Sequence, residues 1–144
     1  MNDVLTKDQW ISFYIDGAAY AQPIDRVREI VTYRTPADVP GSPDVVEGIV
    51  NIRGDVISVV NGRALMGAAN ATADDDSRIL IIEQARSLLG FSVDSVSEII
   101  GFNNDQIDTS HAENGLIKGT VNLEDGLFIV IDLTQYSDEQ DNYE

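Results

Sequence analysis

The chain contains one sequence pattern twice, and this repeat constrains its fold more than any other feature. PIDRVREIV at residues 23–31 resembles SVDSVSEII at residues 92–100, 69 positions later. GIVNIRGDVISVVN at residues 48–61 resembles GTVNLEDGLFIVID at residues 119–132, 71 positions later. Two matched segments in the same order favour an internal duplication with one loop insertion over chance similarity between β-rich segments.

Each copy is expected to consist mainly of short strands. WISFYID and AAYAQPI flank Asp16-Gly17, a strong two-residue hairpin signal, and RILIIEQ and SLLGFSV flank Ala85-Arg86 in the same way. Two further strands close each copy, VEGIVNI with DVISVV and LIKGTVNL with GLFIVIDL. The small, polar and acidic segment GAANATADDDS, residues 67–77, is predicted to be the loop that connects the copies.

A short helical turn is predicted inside each copy. Apolar residues recur at three-residue spacing, with Asp25 and Asp94 as candidate capping residues. The apolar residues are Ile24, Val27 and Ile30 in the first copy and Val93, Val96 and Ile99 in the second.

About five strands and one short helix per copy predict two small barrels. Half of a 144-residue chain has a poor ratio of surface to volume, so the two barrels should pack around a shared apolar seam. We expect one domain over residues 1–144, with one half of the barrel pair at residues 10–66, the other at residues 78–136, and an acidic tail at residues 137–144.

Composition disfavours several classes of partner. The net charge of -16, from 25 acidic against 9 basic residues, would repel nucleic acid and anionic lipid. No apolar run approaches the ~20 residues that span a bilayer, and the first residues do not resemble an export signal, so we expect a cytoplasmic protein without direct membrane insertion. The absence of cysteine excludes disulfides and thiol chemistry.

No motif points to catalysis. The single histidine, His111, lies near Asp108 and Ser110, but residues so close on one loop rarely form a catalytic triad. The acidic run at residues 74–76 lacks the ligand spacing of a calcium loop, and no phosphate-binding glycine motif is present. We therefore expect a binding module for protein partners that is not an enzyme and needs no cofactor or metal.

Four stretches together resemble the CheW family of bacterial chemotaxis coupling proteins. They are FYIDGAAYAQPIDRVREIV, VVEGIVNIRGDVISVVNGRALMG, LLGFSVDSVSEII and GLIKGTVNLEDGLFIVIDL, and the resemblance runs from about residue 10 to residue 136. The segment GIVNIRGDVISVV resembles the family signature G-x-x-N-x-R-G-x-x-x-P-V, and the V-x-E-I element at residues 27–30 is a second landmark. Two departures are Ser58 at the usual proline and Asn61-Gly62-Arg63 in place of Asp-Leu-Arg.

The resemblance implies a fold and a function. The fold would be two intertwined five-stranded Src-homology-3-like barrels around a common core, mainly β with short helices. The function would be that of a non-enzymatic adaptor between the cytoplasmic tips of chemoreceptors and the regulatory domain of the histidine kinase CheA, recruited to membrane-associated receptor arrays. The alternative is a CheW-like scaffold of another chemosensory array that controls motility or development.

The resemblance also implies two sets of contact residues. The receptor-binding set is Ile24, Val27, Glu29, Ile30, Arg53 and Leu89, and the kinase-binding set is Val39, Gly48 and Val56. Periodicity alone favours core positions for Val27, Ile30 and Leu89, while Glu29 fits an ordinary surface position equally well. Gly48 and Gly54 are also consistent with a bulge or a positive φ angle.

Arg53 has two interpretations that do not exclude each other. Its guanidinium could pair with a nearby acid or bind turn carbonyls, or it could contact the receptor. Because the second copy has Glu124 at the matching position, we expect Arg53→Glu to preserve stability and to uncouple the kinase from receptors. We expect Gly48→Asp to weaken kinase binding and to leave the fold mostly intact.

Overall fold

The computed structural model describes residues 8–113 and 115–137. The predicted acidic tail, residues 137–144, lies outside the described residues except for Ser137. The strands are β1 (Asp8–Ile15), β2 (Ala18–Pro23), β3 (Val27–Thr32), β4 (Val46–Ile52), β5 (Asp55–Asn61), β6 (Arg78–Glu83), β7 (Leu88–Val93), β8 (Ser95–Phe102), β9 (Ile117–Leu123) and β10 (Gly126–Ile131). A single-turn helix, α1 (Gly62–Leu65), follows β5, and 3-10 turns lie at Ile24–Arg26, Asn104–Gln106, Thr109–His111 and Leu133–Gln135.

The strands form two five-stranded sheets with the same kind of connectivity. We call the sheet of order β3-β6-β7-β5-β4 the central barrel and the sheet of order β8-β1-β2-β10-β9 the terminal barrel. Each barrel combines strands from residues 10–66 with strands from residues 78–136, so the two copies are intertwined. The predicted fold class, mainly β with two intertwined five-stranded Src-homology-3-like barrels, is confirmed.

The duplication is visible in the strand register. Each of β1–β5 can be exchanged with its repeat equivalent among β6–β10, β1 with β6, β2 with β7 and so on. This exchange converts the strand order of one sheet into that of the other. The parallel pair Ser58↔Leu89 of the central barrel becomes Tyr20↔Ile129 of the terminal barrel under the same shifts of 69 and 71 positions. The two barrels are therefore related by a pseudo-two-fold arrangement.

The apolar core has three parts, one inside each barrel and one between them. Inside the terminal barrel, Trp10 stacks on Phe102 with ring centroids 4.3 Å apart. The central barrel encloses Val50, Ile52, Ile57, Val59, Ile79 and Ile81. The cluster between the barrels takes buried side chains from both sheets, and we call it the shared seam: Phe13, Ile15, Tyr20, Val60, Leu80, Ile82, Phe91, Val93, Ile131 and Leu133. This is the shared apolar seam that the sequence predicts.

The predicted hairpins and the connecting loop are present. Asp16 and Gly17, with φ angles of 51° and 81°, form the turn between β1 and β2, as expected for a type I′ hairpin. Strands β6 and β7 pair antiparallel around the second predicted turn. Residues 67–77 contain no helix or strand.

The predicted helical turns are mostly wrong. Only a 3-10 turn forms at Ile24–Arg26, and the chain then continues as strand β3; the matching segment of the second copy is strand β8. The β-branched residues of these segments favour extended backbone, and pairing of β3 with β6 and of β8 with β1 satisfies their backbone groups. Neither aspartate caps a helix: the capping position of the first turn is Pro23, and Asp94 accepts hydrogen bonds from Arg63 and the Asp16 backbone.

Among the described residues, no helix is long and apolar enough to cross a membrane.

Candidate protein-binding surface

The turn between β4 and β5 carries Arg53 in an unusual backbone conformation. Ile52 pairs with Asp55, and the two residues between them, Arg53 and Gly54, have φ angles of 55° and 92°. A two-residue hairpin of this kind favours Asn-Gly or Gly-Gly, because larger residues rarely adopt positive φ angles. Asn51 supports the turn by accepting a hydrogen bond from the Gly54 N–H at 3.1 Å. Local backbone physics therefore does not explain the choice of arginine.

The Arg53 side chain forms a two-nitrogen ion pair with Glu29 on β3. Its Nη2 lies 2.6 Å and its Nε 3.2 Å from Oε2 of Glu29. The hydrogen bond from Arg53 lowers the pKa of the Glu29 carboxyl. The interpretation that Arg53 pairs with a nearby acid is confirmed, and the pair joins the β4–β5 turn to edge strand β3. With 76% of its side chain exposed, against 25% for Glu29, Arg53 remains accessible to a partner.

A polar network holds β4 in place beside this ion pair. The Glu47 carboxylate accepts hydrogen bonds from the Tyr33 hydroxyl at 2.5 Å and from the Ser92 hydroxyl at 2.6 Å. Burial, together with the neighbouring Glu47, raises the pKa of the Tyr33 hydroxyl. Arg34 adds a hydrogen bond of 3.3 Å to the carbonyl of Asn51. These contacts join the segment after β3 to β4 and β7.

Three apolar residues of the predicted receptor set share one face of the central barrel. Two of them, Val27 and Leu89, are paired in register with Ile82, which lies between them on β6. All three side chains therefore point the same way. Ile82 is buried in the shared seam, and Val27 and Leu89 pack against its margin. Ile30, paired with Leu80 of the same seam, is 37% exposed.

The structure separates the other receptor-set residues from this face. Glu29 pairs in register with Ile81, whose side chain lies inside the central barrel, so the ion pair with Arg53 lies on the other face of β3. Ile24 lies in the turn where the chain passes from the terminal to the central barrel, and it lines a shallow cleft with Trp10. The receptor set is thus divided between one apolar face, an ion pair on the opposite face of β3, and Ile24 in the turn that precedes this strand.

The predicted kinase-binding residues occupy three different environments. Val56 follows the β4–β5 turn and is 66% exposed, which is unusual for valine in a strand. Val39 is half-buried in the loop between β3 and β4, where its carbonyl accepts a hydrogen bond from the Ser42 N–H at 3.2 Å. Gly48 is buried. Of the three, only Val56 presents a largely exposed side chain.

Gly48 has a backbone role that corrects one expectation. Its φ angle is 149°, and an added Cβ would lie 2.1 Å from the Ala37 carbonyl oxygen. The same arrangement recurs at Gly119, where φ is 147° and a Cβ would lie 2.2 Å from the Asp108 carbonyl oxygen. Gly48→Asp should therefore disturb the fold, contrary to the expectation of a mostly intact one. The internal repeat is the sequence signal that shows this role.

The turn of the second copy is not a conformational match for Arg53. Leu123 pairs with Gly126 around Glu124 and Asp125, and the positive φ angle, 135°, falls on Gly126. Glu124 therefore does not adopt the conformation of Arg53, because the glycine has moved by one position between the copies. The expectation that the second turn shows tolerance for an acid at position 53 does not follow from it.

Comparisons with known proteins agree with this geometry. A family model described as a CheW-like domain matches residues 9–141. This chain belongs to the CheW family. It is 27% identical to the chemotaxis protein CheW of Bacillus subtilis over 96% of this chain and 92% of that protein, and 30% identical to the chemotaxis protein CheW of Helicobacter pylori over 85% and 77%. The crystal structure of the scaffolding protein TtCheW from Thermoanaerobacter tengcongensis matches with a TM-score of 0.80 and 26% identity, covering 87% of this chain and 88% of that one.

This CheW-family chain also exposes apolar residues that the sequence analysis did not single out as exposed. Ile99 on β8 and Leu127 on β10 are exposed on the terminal barrel, and Tyr14 on β1 is exposed to a smaller extent. Ile99 and Leu127 are the repeat equivalents of Ile30 and Val56. Applying the repeat shifts to the predicted contact residues would have found both.

The loop that carries the single histidine of this CheW-family member has a structural explanation. Asp108 caps the turn Thr109–His111 by accepting a hydrogen bond from the Ser110 N–H at 2.9 Å. Hydrogen bonds from Ser110 lower the pKa of the Asp108 carboxyl. Asp108 thus engages the backbone of its own turn. In the part of the chain that the structure describes, no group of three His, Cys, Asp or Glu side chains is placed to hold a metal ion.

Proposed function

We propose that this chain is a non-enzymatic chemotaxis adaptor that couples the cytoplasmic tips of chemoreceptors to the regulatory domain of the histidine kinase CheA. The chain belongs to a family whose matched members include several named chemotaxis protein CheW and one described as a scaffolding protein. The observation that carries the proposal is the central barrel's β4–β5 hairpin, which exposes Val56 and the Arg53 guanidinium to solvent. An exposed apolar side chain beside an accessible cation is typical of a protein-binding surface.

The receptor side of the proposal uses the margin of the shared seam. Val27, Ile30 and Leu89 form a partly exposed apolar face on the central barrel, with Ile24 at the passage between the barrels. An amphipathic helix can place its apolar side chains on such a face. Because β3 is an edge strand, Arg53, held by Glu29 on its other face, then offers a positioned charge at the margin of this contact. Recruitment to a membrane-associated receptor array would follow from this contact.

The kinase side of the proposal uses strand β5 of the same hairpin. Val56 supplies the exposed apolar contact, and Val39 lies on the loop that leads into β4. Gly48 contributes by letting the loop backbone approach β4, through the bridge between Ala37 and Ile49. In this proposal Gly48 shapes the surface on which the kinase docks and provides no side-chain contact.

Calorimetric titration with a CheA regulatory domain and with a receptor-tip fragment tests the two surfaces separately. We expect Val56→Asp to weaken kinase binding at least tenfold and to leave receptor binding unchanged, because a carboxylate in an apolar contact loses hydration without a partner. Ile30→Asp should weaken receptor binding and leave kinase binding unchanged. Leu127→Asp and Ile99→Asp are matched controls at the equivalent exposed positions of the terminal barrel.

Three outcomes would count against the proposal. Failure of the unmodified chain to bind either partner would remove the adaptor function. Equal effects of Val56→Asp and Leu127→Asp would show that the central-barrel hairpin is not the kinase contact. A chain that binds only the kinase and receptors of another array would be a CheW-like scaffold for that array.

A further inference from the structure

In one half of the pseudo-two-fold arrangement, an arginine side chain of the protein itself is held by two aspartates. Arg63 of α1 donates hydrogen bonds to Asp94, from Nε to Oδ1 at 3.0 Å and from Nη2 to Oδ2 at 2.8 Å. Its Nη1 lies 3.3 Å from Oδ1 of Asp16 and 3.0 Å from the carbonyl of Ala69. Only 21% of the Arg63 side chain is exposed. The guanidinium therefore fills the space between the β1–β2 turn and the start of β8.

The repeat identifies the equivalent positions in the other half. Arg63 corresponds to Thr134, Asp94 to Asp25, and Asp16 to Ala85. Local structure supports this alignment, because both α1 and the 3-10 turn Leu133–Gln135 directly follow the last strand of their copy and are capped by the residue before them.

The hairpin turns align in the same way. Ile15 pairs with Ala18 in the first hairpin, and the equivalent Gln84 donates its N–H to the carbonyl of Ser87 at 2.9 Å in the second. The two turns therefore occupy equivalent places beside Asp94 and Asp25.

All three equivalent residues line one open cleft. Thr134, Asp25 and Ala85 border a space of about 490 Å³ between the β6–β7 turn, the passage from β2 to β3, and the turn after β10. Thr134 is too short to reach across as Arg63 does. The Asp25 carboxylate is exposed and has no hydrogen-bond or ion-pair partner within residues 8–113 and 115–137. Arg26 also lines the cleft but forms no ion pair with Asp25.

We propose that this cleft binds an arginine side chain presented by the docked chemoreceptor helix, with Asp25 as the carboxylate that receives it. The inference rests on the proposed receptor contact, because Ile24 of the receptor set immediately precedes Asp25. The internal repeat supplies the chemistry, since the equivalent aspartate holds a guanidinium through two hydrogen bonds. Arginine fits better than lysine because its planar group can donate two parallel hydrogen bonds to one carboxylate.

Two substitutions in the cleft test the proposal from opposite directions. Asp25→Asn removes the charge that receives the arginine, and we expect receptor-fragment affinity to fall about fivefold or more, as for a charge-assisted contact. Thr134→Arg recreates the Arg63 arrangement within the chain and fills the cleft, so it should weaken receptor binding to a similar degree. Asp76→Asn is the matched control, because it removes an exposed carboxylate from the connecting loop.

The readouts separate this inference from the proposed function. CheA regulatory-domain affinity should stay unchanged in all three variants, and the melting temperature should stay unchanged in Asp25→Asn and Asp76→Asn. If the unmodified chain binds the receptor fragment and Asp25→Asn binds it equally well, the arginine site is refuted while the adaptor function stands. If the unmodified chain does not bind the fragment, both proposals fall.

A double-mutant cycle identifies the partner side chain. Each arginine of the receptor fragment is replaced by glutamine and titrated against the unmodified chain and against Asp25→Asn. The arginine that occupies the cleft should cost affinity only when Asp25 is present. A scan in which every arginine substitution costs the same in both backgrounds would overturn the assignment.

Discussion

Arg53 stands at a backbone position that favours a different residue. With φ at 55° and Gly54 next to it, the turn matches the geometry for which Asn-Gly is preferred. The ion pair with Glu29 explains where the guanidinium goes, but exposed ion pairs contribute little to stability. Because the turn disfavours arginine and the ion pair adds little stability, we propose that a partner contacts Arg53.

Arg53→Asn tests the contribution of the guanidinium charge separately from the conformation of the turn. The substitution creates Asn-Gly, so we expect a melting temperature at least equal to that of the unmodified chain. Loss of the guanidinium should nevertheless weaken receptor binding about tenfold, the scale of a charged interface contact. Thermal unfolding and titration with a receptor fragment measure the two effects. A variant with normal receptor affinity would leave Arg53 with a structural role only.

Gly48 and Gly119 form a natural pair for testing the backbone role. Each has a large positive φ angle and a carbonyl oxygen where a Cβ would lie. We expect Gly48→Ala and Gly119→Ala each to lower the free energy of unfolding by about 2–4 kcal/mol, from backbone strain and displacement of the neighbouring loop. Chemical denaturation measures both. A fully stable Gly48→Ala that loses kinase binding would instead support direct contact.

Strand β3 is a secondary-structure element that the sequence pattern did not predict. The spacing of Ile24, Val27 and Ile30 fits a helical turn, yet the residues from Val27 onward form an edge strand paired with β6. Three apolar residues at this spacing do not distinguish the two structures, and the deciding contact is with a strand about 50 residues later. The hairpins were predictable because their signals are local. Pairing between distant strands is not.

The register of β3 predicts different roles for its apolar residues. Val27→Ala should lower the free energy of unfolding by about 1–2 kcal/mol, because Val27 packs against the shared seam. Ile30→Ala should change it by less than about 0.5 kcal/mol, because Ile30 is more exposed at the sheet edge. Urea unfolding of the two variants provides the comparison. A larger loss for Ile30 would place that side chain in the core and remove it from the receptor face.

For the whole molecule, the repeat predicted two similar barrels but not which strands each barrel contains. Every sheet combines strands from both copies, and the shared seam takes side chains from both sheets. Sequence similarity identifies equivalent positions and carries no information about exchange of strands between copies. The candidate site depends on such distant contacts, since Glu29 and Arg53 meet only when the central barrel closes. Resemblance named these residues, and the structure supplied their pairing.

The Arg63, Asp94 and Asp16 cluster gives the fold a dependence on pH. Partial burial raises the pKa of the Asp94 carboxyl, but hydrogen bonds from Arg63 and the Asp16 N–H outweigh it, so the folded-state pKa lies below the ordinary value. A lowered carboxyl pKa stabilises the fold above the unfolded-state pKa of about 3.9, and this contribution is lost as the pH falls through the folded-state pKa.

Asp94→Asn should reveal this contribution. We expect the unmodified chain to lose stability as the pH falls below about 4, and the variant to be less stable at neutral pH with a shallower acid dependence. Urea unfolding across this range measures the difference, with Asp76→Asn as the control for an exposed carboxylate. Parallel pH profiles for Asp94→Asn and the unmodified chain would show that the cluster contributes no such linkage.

The proposed adaptor function requires that one small chain link receptor state to kinase activity through separate surfaces. The most direct measurement is CheA autophosphorylation in a reconstituted mixture with receptors, with and without this chain and with attractant present or absent. We predict that kinase activity rises with receptors and responds to attractant only when the chain is present, and that Val56→Asp and Arg53→Asn each abolish this response. Equal attractant control of the kinase with and without the chain would contradict the claim.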